Sequence, residues 1–142
     1  MSYKAAAQMR PIFVILNLAS DQAMVSGDPV SWSVQTGTSG HGVTVTSGVI
    51  TLPSGYQWFA QSQIACTSVT AVELHWYENN VASTTFAKTG ISLVTTLTSG
   101  SNIVAHCYID ASSSTVDLEL RANGTMTADS ECCFMLLIGY PS

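Results

Sequence analysis

The stretch Glu131-Cys132-Cys133-Phe134-Met135-Leu136-Leu137-Ile138-Gly139-Tyr140 decides the fold. A β-strand sends successive side chains to opposite faces, so a strand with one wet face alternates apolar and polar residues. This one is apolar on both faces. Cys133, Met135 and Leu137 point one way; Cys132, Phe134, Leu136 and Ile138 point the other. Each face needs a cover. A chain of 142 residues is too short for three layers, so one cover is expected to be a second copy of the chain.

Working outward, the same property returns at the other end. Met9–Leu18 is a strand with apolar residues on both faces. If the two end strands pair, they form the middle of a sheet whose outer face is apolar, and a sandwich with such a face oligomerises. Three sheets around an axis would bury it. Between the ends, no segment carries a helical period, and short alternating runs recur between Gly, Pro, Asn, Asp and Ser. The runs are Val30–Val34, Val43–Val45, Val49–Leu52, Tyr56–Thr67, Val72–Tyr77, Ile91–Leu97, Ile103–Ile109 and Val116–Leu120. Ser26-Gly27-Asp28-Pro29, Pro53-Ser54-Gly55, Glu78-Asn79-Asn80 and Asn123-Gly124 supply turns, Thr36–Gly42 a loop, and Ser83–Thr89 a polar edge or loop. Roughly ten strands without helices predict an all-β antiparallel β-sandwich or barrel. No linker divides the chain: the expectation is an N-terminal arm over residues 1–10 and a single domain over 11–142.

Composition narrows the function classes. Apolar residues make up 46% of the chain and charged residues only 9%, against about a quarter charged in a typical domain. Ser, Thr, Gly and Asn fill the difference, which suits an extracellular or virion particle. The net charge is −5, and Lys4, Arg10, Lys88 and Arg121 are the only fixed cations. Nucleic-acid binding needs a basic footprint, and a polybasic membrane contact needs the same. Neither partner is expected. No run reaches the ~18 apolar residues of a membrane span. Residues 1–19 loosely imitate a signal peptide, but the apolar run is short and Asn17 makes a poor cleavage site, so the segment reads as a strand.

Four cysteines, Cys66, Cys107, Cys132 and Cys133, show no CxxC or zinc spacing and read as small buried hydrophobes. A Cys107–Cys133 bridge is the exception that core strands would allow. Asn123-Gly124-Thr125 fits a glycosylation sequon, but Asn-Gly is first a turn. His41, His75 and His106 are scattered. A histidine near a three-fold axis would offer three ligands to a metal, yet one hydrogen bond each is the ordinary role, and no metal, cofactor or catalytic residue is expected. Glu73, Asp117 and Glu119 sit on outward strand faces as solubilising charges.

The order of these features resembles the tumour necrosis factor-like jelly roll, shared with complement globular heads and several phage proteins. Ile50-Thr-Leu-Pro-Ser-Gly-Tyr56-Gln-Trp58 is similar to the family's Pro-Gly-Tyr-aromatic entry into a strand. Val72-Glu-Leu-His-Trp-Tyr-Glu-Asn-Asn resembles the strand that ends in an Asn-Gly type hairpin, Val116-Asp-Leu-Glu-Leu-Arg the penultimate strand, and Cys133-Phe134-Met-Leu-Leu-Ile138 the closing strand. The resemblance implies a homotrimer with the first and last strands in the inner sheet, and makes Phe134, Leu136, Ile138, Tyr108 and Tyr77 the trimer-interface candidates. Family members with a stalk or membrane anchor carry it before the domain. With a short arm there instead, the expectation is a capsid decoration (cement) protein of a phage virion. It would dock on the major capsid protein at the outer capsid surface, with Lys4 and Arg10 as anchor. The alternative is a receptor- or glycan-binding knob of a head or tail fibre, with Trp58, Trp76 or loop aromatics stacking on sugars and Asn79, Asn80 and the Thr36–Gly42 loop supplying hydrogen bonds. A cellular ligand and a small jelly-roll enzyme are the remaining classes.

Overall fold

The computed structural model describes residues 10–69, 72–82, 94–97 and 102–142. All described elements are strands: β1 (Ile12–Leu18), β2 (Gln22–Met24), β3 (Trp32–Gly37), β4 (Thr44–Thr46), β5 (Val49–Leu52), β6 (Tyr56–Val69), β7 (Val72–Glu78), β8 (Val81–Ala82), β9 (Val94–Leu97), β10 (Asn102–Ala111), β11 (Val116–Ala122), β12 (Met126–Ala128) and β13 (Phe134–Pro141). They make two antiparallel sheets. One is ordered β2-β12-β6-β13-β1-β3, with β10 on the free side of β6; the other is β4-β5-β11-β7-β8, with β9 also pairing β7.

The closing strand organises the first sheet. β13 pairs with β1 from Ile12↔Gly139 to Asn17↔Phe134 and with β6 from Phe134↔Gln63 to Pro141↔Tyr56. The two end strands are therefore neighbours at the sheet centre. Because side chains alternate, this register sends Val14, Leu16 and Leu18 of β1 inward with Cys133, Met135 and Leu137. The second sheet meets them with Ile50, Leu52, Leu74, Trp76, Leu118 and Leu120, all buried. Trp58 is fully buried, and its indole N–H donates to the Pro53 carbonyl at 3.2 Å.

Turns obey local chemistry. Asn79 and Asn80 take φ of 50° and 65°, the left-handed pair of a type I′ hairpin, and lead β7 into β8 with Glu78 opposite Val81. Two short strands escape a reading of periodicity. β2 and β12 have three residues each, and exist because β6 outlasts its partner: β13 covers the first part of β6, and β12 pairs at its far end before continuing to β2. The Val30–Val34 expectation shifts as well. Val30 is buried ahead of the strand, bonded through its N–H to Leu120, and β3 runs on to Gly37 through pairing with β1. Val34 is exposed, because β3 is an edge strand. The expected Ser83–Thr89 edge and the start of the Ile91–Leu97 strand lie outside the described residues.

No disulfide joins the cysteines. Cys107 lies on β10 and Cys133 just ahead of β13, strands that flank opposite sides of β6, and the Cys133 thiol is engaged with the Ala65 backbone, which rules out the bridge held as an exception. Burial pushes the Cys107 thiol far above its usual range, with the Glu78 carboxylate adding to the shift. Burial raises Cys133 too, against the Ala65 hydrogen bond. Both stay protonated and act as core side chains.

Gly139 is a tight point of the β13–β1 seam. A Cβ there would lie 2.8 Å from two Trp58 ring carbons and 3.1 Å from Ile12 Cγ1. Gly139→Ala should therefore cost about 1–3 kcal/mol through overpacking, seen as a lowered midpoint in urea denaturation at unchanged slope.

Candidate functional site

The outer face of the first sheet is assembled by register, strand by strand. Phe13, Ile138, Phe59 and Tyr108 form one row across β1, β13, β6 and β10. Ile15, Leu136, Gln61 and His106 form the next, followed by Asn17, Phe134, Gln63 and Val104. Tyr140, Gln57 and Asp110 close the other end. At strand and residue spacings this face measures about 15 Å by 20 Å. Phe13 is 47% exposed, Phe134 41%, Tyr140 47% and Val104 46%. Ile15, Leu136, Ile138, Phe59 and Tyr108 are half-buried. A contiguous apolar patch of this kind marks an interaction surface, whereas scattered surface hydrophobes do not.

The polar groups of the face are mostly neutral. Tyr108 donates its hydroxyl to Gln57 Oε1, and Ser33 Oγ donates to Asn17 Oδ1 at 3.0 Å. Asp110 is the sole carboxylate in the four rows, and hydrogen bonds from the Ser112 hydroxyl and N–H hold its carboxyl below the usual range. The face therefore carries one imidazole, two phenols and a carboxylate at its end.

Four of the five interface candidates, Phe134, Leu136, Ile138 and Tyr108, share this face. Tyr77 does not. It lies on β7 in the second sheet, opposite Glu119 of β11, with the Arg121 guanidinium 4.0 Å above its ring. The strand pattern that exposed Tyr77 carries no information about which sheet it joins, so Tyr77 is corrected to the opposite side of the sandwich. Phe13, Ile15 and Phe59 complete the face. Their signal was present in the two-faced first strand and in the Tyr56–Thr67 alternation, but only register puts them beside Phe134. Arg10 is exposed just ahead of β1, and Lys4 lies outside the described residues.

The other candidates are dispersed. His41 Nδ1 accepts the Val43 N–H at 2.9 Å, His75 Nε2 lies 3.0 Å from Glu73, and the His106 ring centroid is 5.7 Å from that of Phe59. Among the described residues, no group of three His, Cys, Asp or Glu is placed to hold a metal ion. A shallow depression at the sheet end opposite Tyr140 holds Asp21, Asp129 and Glu131. There Asp21 accepts from the Ser130 N–H and hydroxyl, at 2.9 and 2.8 Å, which lowers its pKa. Trp58 and Trp76 are core residues with no exposed ring for a sugar.

The Tyr77 cluster has a structural role that the sequence reading missed, since Glu119 is buried rather than solubilising. Arg121 grips it with Nη2 at 2.7 Å and Nε at 3.0 Å and reaches Asn80 Oδ1 at 2.6 Å. This bidentate pairing raises the Arg121 pKa further. Arg121→Gln should destabilise the fold by about 2–3 kcal/mol at neutral pH, because it strands a buried carboxylate. Arg121→Gln combined with Glu119→Gln should recover most of that loss in the same denaturation assay.

No family model and no curated protein sequence matches the chain. Solved structures do. Murine APRIL at pH 8.5 superposes with a TM-score of 0.64 at 12% identity, over 91% of this chain and 98% of that one. GITRL from bushbaby gives 0.59 at 11% identity, over 94% of this chain and 96% of that one. Strand order, sheet pairing and these superpositions agree: the chain has the tumour necrosis factor-like jelly-roll fold.

Proposed function

We propose that this chain assembles as a homotrimer through the outer face of the β10-β6-β13-β1-β3 sheet and serves as a structural protein of a phage virion, decorating the outer capsid surface. The observation that carries the assembly is the apolar patch centred on Phe134, Leu136, Ile138, Phe13 and Phe59, which an isolated protomer leaves partly in water. The resemblance to tumour necrosis factor-like jelly rolls supports three copies. Covering about 300 Å² of apolar face on each copy stabilises the assembly by several kcal/mol per protomer, and closed cyclic symmetry satisfies every copy at once.

The virion role is supported by the chain's chemistry. Low charge and abundant hydroxyl and amide side chains suit a surface largely covered by neighbours. A trimer matches the three-fold positions of an icosahedral shell, and three weak anchors then add by multivalency. The anchor is the N-terminal arm, whose Lys4 and Arg10 supply positive charge to a chain of net −5. The acceptor is an acidic surface of the major capsid protein. The fibre-knob reading is weakened by the burial of Trp58 and Trp76, its sugar-stacking candidates.

Phe134→Glu should leave the protomer folded, since this ring is already 41% exposed, and should weaken association by at least about a hundredfold, roughly 2.7 kcal/mol. Sedimentation equilibrium reads this directly, and an unchanged trimer would sink the interface assignment. The capsid role is tested by mixing purified protein with undecorated capsids. Saturation at a fixed trimer-to-capsid ratio is expected, with binding lost and the trimer kept when residues 1–10 are removed. A trimer that ignores capsids and binds host cells or glycans would favour the knob.

A further inference from the structure

His106 is the one imidazole in the apolar rows, and its surroundings give it a direction. It is half-buried in the row of Ile15, Leu136 and Gln61, with its ring 5.7 Å from Phe59 and tilted 30° to it. Along β10 its same-face neighbours are Val104 and Tyr108, and the first charged group is Asp110, two rows away and held by Ser112. β6 presents Phe59, Gln61 and Gln63 to it, none of which ionises. β9, which also packs against β10, is Val-Thr-Thr-Leu and carries no ionisable residue. A protonated imidazole here is stable while water reaches it. Once the face is covered, its charge loses that water and finds no carboxylate in the adjoining rows. Desolvation of a cation without a partner is costly, whereas neutral imidazole is tolerated among aromatic rings.

We propose that His106 makes assembly through this face pH-dependent: the trimer is favoured when the ring is neutral and weakened when it is protonated. This rests on the assembly reading above. The sign follows from linkage. The free protomer binds more protons than the assembled one, so association strengthens as pH rises and is lost as pH falls through the histidine range. With one proton discarded per protomer on burial, moving from pH 7.5 to 5.5 weakens association about tenfold per protomer, and about a thousandfold for three. The device suits a coat component that is stable at neutral pH and released on acidification.

Sedimentation equilibrium at pH 7.5 and 5.5 tests this on the full-length protein and on His106→Gln, which keeps the size and removes the titration. The expected result is a trimer at pH 7.5 that dissociates at pH 5.5, and a variant that is trimeric at both. His41→Gln and His75→Gln should retain the wild-type pH response. A wild-type trimer of equal strength at both pH values overturns the role of His106 and leaves the assembly reading standing. So does an association that strengthens in acid, which would place a partner carboxylate against the ring. A monomer at pH 7.5 removes the assembly reading itself, and this inference with it.

Discussion

The rest of the structure depends on the pairing of β13 with β1 on one side and β6 on the other. The backbone bonds of this central strand fix register, and register in a strand decides the face of every side chain. One residue of slip would put Phe134 and Leu136 into the core and Met135 and Leu137 into water. The seam has little freedom to slip, because Gly139 lets Trp58 and Ile12 close over it and nothing larger fits without displacement. The same ladder that builds the core therefore also prints the apolar outer face.

The two sheets divide the work. On the second sheet Arg121 binds Glu119 and Asn80 and covers the Tyr77 ring, so a buried carboxylate and a half-buried aromatic are both satisfied within one protomer. The first sheet has no such closure. Its outer rows are filled with rings and branched aliphatics, and the polar groups among them are amides, phenols, a single imidazole and one carboxylate at the end. A face whose one fixed charge, Asp110, lies at its end is cheap to dehydrate over its centre, and it makes a lone imidazole there consequential. Assembly and its response to acid thus come from one feature, the scarcity of charge on this surface.

Much of the fold was legible in the chain, and particular elements show why. The β13 and β1 strands are apolar on both faces, and no single sandwich satisfies that pattern, so central pairing and an uncovered face followed. Asn79-Asn80 carried its hairpin in its own conformational preference. The short strands β2 and β12 were not legible, because three residues carry no period. They form only because the far end of β6 needs partners. Glu119 looked like a solvent-facing charge for a related reason: alternation tells which way a side chain points, not what lies on top of it.

The sequence by itself determined the class of the protein, the inward residues of its long strands and the existence of a second greasy face, since these depend on alternation within single segments. Tertiary structure alone decided which segments share that face. Tyr77 and Tyr108 look alike in sequence, each an outward aromatic on an alternating strand. Pairing with β11 carries Tyr77 to the far side of the sandwich under Arg121, whereas pairing with β6 sets Tyr108 beside Phe59 in the apolar rows. Side-chain direction is a property of the local backbone; companionship depends on long-range hydrogen bonding between strands distant in the chain.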